Sequence, residues 1–532
     1  MRRAILLFVL LVLPAASPAA EERPLWVLVA APAYREALTP LVEHRRAEGQ
    51  RVIVLTTTDA LSPEQIRAGE AGPLRDRVRR LAGGARGRVA VLLAGAFAAP
   101  DGEDAARTVV PPGAGTVGRM AGEPTDHPFS GAAAGALPAV AVGRFPARSV
   151  AEVEAMVAKT LAFKKGRPAG PWRDRMALLV GDPGGASPVE RQMAAWFLGG
   201  ALASRFARIP PRWTVRALVH SPTSPLCVPD GDLRTVSRGL LEEGSFLAIY
   251  LGHSGAGRLA SGRAPFLTRE DFETLRIRAG PGVFFTCGCY GCQVRGFGGE
   301  GYGIAAMRNA GGPAAVVGAH GESYAAMGRL AADGLIEHLR RDPPATTLGE
   351  MWLDVLGGIA RGEIDSLTFR LYDEADGSRG AVPLAEQRRE HLEMWTLLGD
   401  PGMRLPPPPL PIPLQVEGAA SPGGELTVSG RLPAAIAGAR VLVTLERPPG
   451  PHASGLVPPP ADPGAARETM LANHGRANDV VLSAAEVSPG DRTFRCALPV
   501  PAEVPWPRLT VRAQAFAEDA FASGVLSLPV TR

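Results

Sequence analysis

The chain has 532 residues, 46% of them hydrophobic and 21% charged, with a formal net charge of +4. That is enough apolar material for several packed cores, which excludes a disordered chain. Glycine (63) and proline (51) make up about a fifth of it without a collagen period, and five cysteines are too few for a disulfide scaffold. The basic residues are nearly all arginine, only Lys159, Lys164 and Lys165 being lysine. No basic run stands out against 53 acidic residues, so no nucleic-acid partner is expected.

Met1-Arg2-Arg3, the apolar run Ala4 to Ala16 and the small residues Ser17 to Ala20 have the form of a secretory signal peptide over residues 1–19. The apolar run is shorter than the roughly 20 residues a bilayer span needs. Cleavage would leave a mature chain without an integral membrane segment, secreted, periplasmic or held at the cell surface. In residues 24–166, Leu25–Ala31, Arg51–Thr56, Arg88–Ala94 and Pro138–Val142 read as strands. Tyr34–Gly49 and Val150–Lys165 read as helices, and Gly95–Leu137 reads as a long loop. Short apolar strands alternating with helices predict an α/β fold with a parallel sheet.

A second α/β series occupies residues 167–405. Met176–Gly181 runs into Asp182, Phe246–Gly252 into His253, Val283–Thr286 into the Cys287-x-Cys289-x-x-Cys292 cluster, and Ala314–Ala319 into His320. Helices are expected at Pro188–Phe206, Asp232–Glu243, Arg269–Leu275, Tyr302–Asn309, Ser323–Arg341, Thr346–Arg361 and Leu384–Leu398. In parallel strands these carboxyl ends share one edge, where open α/β sheets bind ligands. Beyond the stiff Pro406–Pro409 linker, short strands between Gly/Pro/Asp turns in residues 410–532 predict an antiparallel β-sandwich.

The strand ends carry the chemistry. A cysteine thiol, with a free pKa of about 8.5, needs a base or an electropositive setting to act as a nucleophile. Histidine moves the proton and a carboxylate fixes its tautomer. Asp182, His253 and one of the clustered cysteines meet that need. Backbone N–H groups near Ser254 and Gly288 would hold an oxyanion. Metal-like spacing in the cysteine cluster lacks a second cysteine pair, so no metal site is assigned. A disulfide from Cys292 to Cys287 or Cys227 stays open. Glu190 sits in Ser187-Pro188-Val189-Glu190, which reads as a capping box.

The order strand–Gly-His followed by strand–Cys resembles the gingipain family of caspase-like cysteine peptidases. The resemblance runs through VLVAAPAYREALTPLVEHRRAEG, PAVAVGRFPARSVAEVEAMVAKTLAFKK, IYLGHSG, PGVFFTCGCYG, GGPAAVVGAHGESY and MWTLLGDPGMRL. It implies a caspase-like core in two subdomains followed by an immunoglobulin-like sandwich, and cleavage of protein or peptide substrates. On matching positions, His253 is the catalytic histidine, Cys289 the nucleophile with Cys287 as alternative, and Asp182 the supporting acid. Ser254 and Gly288 fall at the oxyanion site and Tyr324 on a wall of the substrate pocket. No cofactor is required, and a structural calcium ion is compatible with the family. The competing class is an inactive exported scaffold for adhesion or assembly on the same fold.

Overall fold

The computed structural model describes residues 23–99, 104–166, 169–182, 199–200, 202–221, 223–261, 264–296, 298–341, 346–450, 453–517 and 520–531. The expected signal peptide, the Ser187–Glu190 capping box and most of the helix expected at Pro188–Phe206 lie outside these residues. The core is one ten-stranded sheet built from β1 (Leu25–Ala30), β2 (Arg51–Thr56), β3 (Val89–Ala94), β4 (Ala141–Phe145), β5 (Arg175–Val180), β6 (Thr214–Val219), β7 (Leu247–Leu251), β8 (Val283–Thr286), β9 (Ala315–Ala319) and β10 (Trp395–Leu398). The spatial order is β2-β1-β3-β4-β10-β9-β8-β7-β5-β6.

Strands β1 to β4 form one parallel block and β5 to β9 another. β10 joins the blocks. It pairs antiparallel with β9 and meets β4 at a single bridge, Leu398–Arg144. All six residues of β1 and all four of β8 are buried. In β8, Val283 and Phe285 point into one apolar core and Phe284 into the other, so helices must cover both faces. Phe97, just after β3, packs edge-on against His320, just after β9, at 6.0 Å. The ends of both blocks therefore line one edge.

Several expectations are corrected. The helix expected to run to Leu398 stops at Met394, because Trp395–Leu398 is a fully buried strand. β6, the hairpin strands Ser254–Gly255, Arg258–Ser261 and Ala264–Thr268, and the helix Leu367–Asp376 had no counterpart in the sequence reading. The Gly95–Leu137 segment is not featureless. It holds a short helix, Ala105–Thr108, and 3-10 turns at Gly118–Met120 and His127–Ser130.

The helices used below are α1 (Val150–Lys165), α2 (Asp230–Glu242), α3 (Ala325–Arg340), α4 (Leu348–Arg361), α5 (Leu367–Asp376), α6 (Leu384–Met394) and α7 (Pro463–Asn478). The last third of the chain forms a five-stranded and a three-stranded sheet. Leu426, Val428 and Leu498 of one share a core with Val443, Leu445, Val511 and Ala513 of the other. α7 interrupts this unit between Val441–Glu446 and Val481–Val487, where the sequence reading expected only strands and turns. No helix among the described residues is long and apolar enough to cross a membrane.

Candidate active site

β7 and β8 are neighbours in the sheet and run parallel, which brings the residues after them side by side. β7 leads into Gly252, whose φ of +151° and 2.9 Å clearance between its missing Cβ and Tyr250 Oη admit only glycine. His253 follows, its side chain half exposed. The Tyr250 hydroxyl reaches the carbonyls of His253 (2.5 Å) and Ala260 (2.7 Å), fixing the backbone beneath the imidazole. Asp182 follows β5. The Cβ position of Gly181, just before it, lies 3.4 Å from Gly252 Cα. A carboxylate also approaches the imidazole from α5: Asp376 Oδ1, at the end of that helix, is 3.9 Å from His253 Nδ1.

α5 holds Asp376 there through the turn that follows it. Buried Asp373 accepts hydrogen bonds from the N–H groups of Ser378 and Gly380, both 2.8 Å, and from Gln387 Nε2, 2.6 Å. Burial raises the Asp376 pKa, with His253 opposing that shift and Glu322 adding to it.

β8 leads into Cys287-Gly288-Cys289. Cys287 turns inward, its Sγ 3.8 Å from the Gly328 carbonyl, and burial drives its pKa far up. Cys292 is fully buried against Gly303 and Gly318. The Cys289 thiol donates instead to the Ser323 carbonyl at 3.4 Å. Burial pushes its pKa up to about 11; the Ser323 bond and Arg119 lower it, while Glu322 and Asp376 raise it. At neutral pH that burial favours the Cys289 thiol over the thiolate. All five cysteines are free thiols. Among the described residues no three His, Cys, Asp or Glu side chains cluster as a metal site.

Ser254 and Gly288 interlock. Ser254 Oγ donates to the Cys289 carbonyl at 2.6 Å and accepts from Tyr302 Oη at 3.3 Å. A Cβ on Gly288 would lie 2.1 Å from that Oγ. The Gly288 N–H leans on Thr286 Oγ1 at 3.4 Å. At Ser254 the hairpin bond is made by the neighbouring pair, Ala260 N–H to the His253 carbonyl. Tyr290, next to Cys289, holds a left-handed φ of 60° while its N–H donates to the Gly321 carbonyl.

Tyr324 closes the other side. Its N–H donates to Nε2 of buried His391, whose Nδ1–H is given to the Gln387 carbonyl, so the tautomer is fixed. Arg119 lies over the Tyr324 ring at 4.2 Å. Neither Arg119 nor Asp376 was legible in the sequence. One sits in the glycine-rich segment, and the other ends a helix whose Leu367 and Leu371 face solvent.

The model of peptidase family C25 matches residues 19–406. The chain belongs to peptidase family C25. Among solved structures, the crystal structure of the Arg-specific cysteine proteinase gingipain R (RgpB) matches with a TM-score of 0.53 and 15% identity, covering 97% of this chain and 99% of that one. The complex of the Porphyromonas gingivalis RgpB pro- and mature domains matches with a TM-score of 0.51 and 14% identity, covering 95% and 100%. A further structure, described only as a protease, gives 0.52 and 14%, covering 95% and 97%. No curated protein matches the chain. At these identities the structural likeness carries the fold, and C25 membership makes the chain a member of the cysteine peptidases.

Proposed function

We propose that this C25 chain is an exported cysteine endopeptidase with Cys289 as nucleophile and His253 as general acid–base. The observation that carries the reading is the pairing of the two strand ends. His253 and Cys289 follow adjacent parallel strands, and the Ser254 hydroxyl ties the backbone after one to the carbonyl of the other at 2.6 Å.

With the thiol neutral at rest, its proton passes to the His253 imidazole as Sγ bonds to the substrate carbonyl carbon. The carbonyl oxygen, now an oxyanion, is taken by backbone N–H groups around Ser254, Gly288 and Cys289. The imidazolium then gives its proton to the leaving amine and the C–N bond breaks. Water, deprotonated by the same imidazole, releases the acid and restores the thiol. Asp376 acts through His253 as a positioning residue whose charge favours the imidazolium, its Oδ1 standing 3.9 Å from Nδ1; Asp182, at the end of β5, stays in the reading as a second acid for that part. Export is the reading of residues 1–19. The immunoglobulin-like character of residues 410–532 and a structural calcium ion belong to the same proposal.

The test is cleavage of a mixed peptide library under reducing conditions. Cys289→Ala is expected to lose at least about 10³-fold in kcat, and Asp376→Asn about 10- to 100-fold in kcat with KM held. Asp182→Asn, measured beside Asp376→Asn, decides which of the two carboxylates supports His253. Full activity in Cys289→Ala together with loss in Cys287→Ala would move the nucleophile. Absence of cleavage by the wild type would favour the inactive scaffold.

A further inference from the structure

The side chain beside a scissile bond must lie within a few ångströms of the attacking sulfur. What surrounds Cys289 on the Tyr324 side is a set of groups suited to a cation. The Ser323 carbonyl accepts the thiol at 3.4 Å, and the two residues flanking it are Glu322 and Tyr324. Behind them stands Glu390, almost fully buried. Two carboxylates and an aromatic face are what a guanidinium or ammonium group needs for recognition.

That set already holds a guanidinium. Arg119 Nε and Nη2 donate to Glu390 Oε2 at 2.9 and 2.7 Å, and its backbone N–H donates to Oε1 of the same carboxylate at 2.9 Å. Nη1 reaches both the carbonyl and the carboxylate of Glu322 at 3.2 Å. The guanidinium carbon stands 4.2 Å from the centre of the Tyr324 ring. The Arg119 side chain is still 30% exposed, so the recess opens to solvent rather than closing as core.

We propose that Arg119 is a specificity-determining residue, a resident cation that fills the acidic and aromatic recess beside Cys289 and turns the peptidase toward neutral side chains next to the scissile bond. The proposal rests on the peptidase reading. Its physical content is competition: a substrate arginine or lysine meets a site whose charge and ring face are already satisfied, and must bear the repulsion of a second cation.

The experiment uses the full chain and fluorogenic peptides differing only in the residue before the scissile bond (Arg, Lys, Ala, Leu or Gln). The wild type is expected to favour the neutral residues. Arg119→Ala is expected to shift the ratio of kcat/KM for Arg over Ala upward by about tenfold, the scale of one desolvated ion-pair and cation–π site. Arg119→Lys, which keeps the cation, is expected to keep the wild-type preference. Adding Glu322→Gln to Arg119→Ala is expected to cancel the gain. Benzamidine, a small aromatic cation, is expected to raise the Tm of Arg119→Ala and leave that of the wild type unmoved. A wild type that cleaves about tenfold faster after arginine or lysine than after neutral residues overturns the proposal; that measurement needs no folded variant. Equal benzamidine stabilisation of wild type and Arg119→Ala overturns it too. If the wild type cleaves nothing, the peptidase reading has failed separately, and benzamidine binding still decides the recess.

Discussion

Ser254 and Gly288 show how much depends on a single methyl group beside Cys289. The Ser254 hydroxyl occupies the space a Cβ at residue 288 would need, and it carries the bond that holds the Cys289 carbonyl. Gly288→Ala is expected to cost about 1–3 kcal/mol through overpacking and to displace the thiol. Adding Ser254→Gly is expected to return part of the stability by opening that space. Chemical denaturation of the two single variants and the double variant measures the coupling; strict additivity would mean the two residues do not interlock. Strand-end chemistry was legible here because Gly-His and Gly-Cys each follow a short apolar run. The use of the serine side chain was not legible, since sequence spacing says nothing about which atom of a neighbouring strand fills the gap.

Among the elements, α6 carries unusual responsibility. One turn of it presents Glu390 to Arg119, His391 to the Tyr324 N–H, and Glu393 to the Thr116 and Gly135 N–H groups at 2.7 and 3.0 Å. Those bonds order a segment that composition alone reads as loop, because a buried carboxylate far along the chain leaves no local trace. α1 offers a comparable device. Buried Lys159 extends Nζ to the carbonyls of Met307 and Asn309, both at 2.7 Å, capping the helix Tyr302–Arg308. Burial lowers its pKa to about 7 from 10.5. Between those values the unfolded chain binds a proton the folded one lacks, so this group adds stability as pH rises and loses it as pH falls through 7. Thermal melts from pH 7 to 10 are expected to show the Tm of the wild type climbing relative to Lys159→Met; parallel curves would remove the assignment. The lysine itself was visible as one of only three, but its partners were not.

For the whole molecule, two joints matter. Asp400, in the closing Gly-Asp-Pro-Gly, accepts from Trp26 Nε1 at 2.9 Å and from Arg45 Nη2 at 2.6 Å, bolting the end of the second block to the start of the first. The β-rich last third is fastened by Arg512, which pairs with Glu446 and donates to the carbonyls of Pro211 and Arg212, both 2.8 Å. α7 fastens it again through Arg467 on Asp232 of α2 and through Asn478, which bonds the N–H and carbonyl of Ala217 in β6 at 2.7 and 2.9 Å. α7 escaped the sequence reading because it has almost no apolar stripe and is held by these polar contacts. Asn478→Ala is expected to cost about 1–3 kcal/mol by stranding two backbone groups. Hydrogen exchange should show the loss at residues 215–219 first, and unchanged protection there would refute the clamp.

β6 is the outermost strand of its block, and an unpaired margin of that kind invites a strand from another molecule. Asn478 supplies the amide that a neighbouring strand would have offered, but from a helix, so the ladder ends there instead of continuing. The sandwich thus acts as a stopper as well as a passenger. An α/β portion separated from it would lose that cover at Ala217, leaving the N–H and carbonyl at the middle of β6 open to a strand from another molecule.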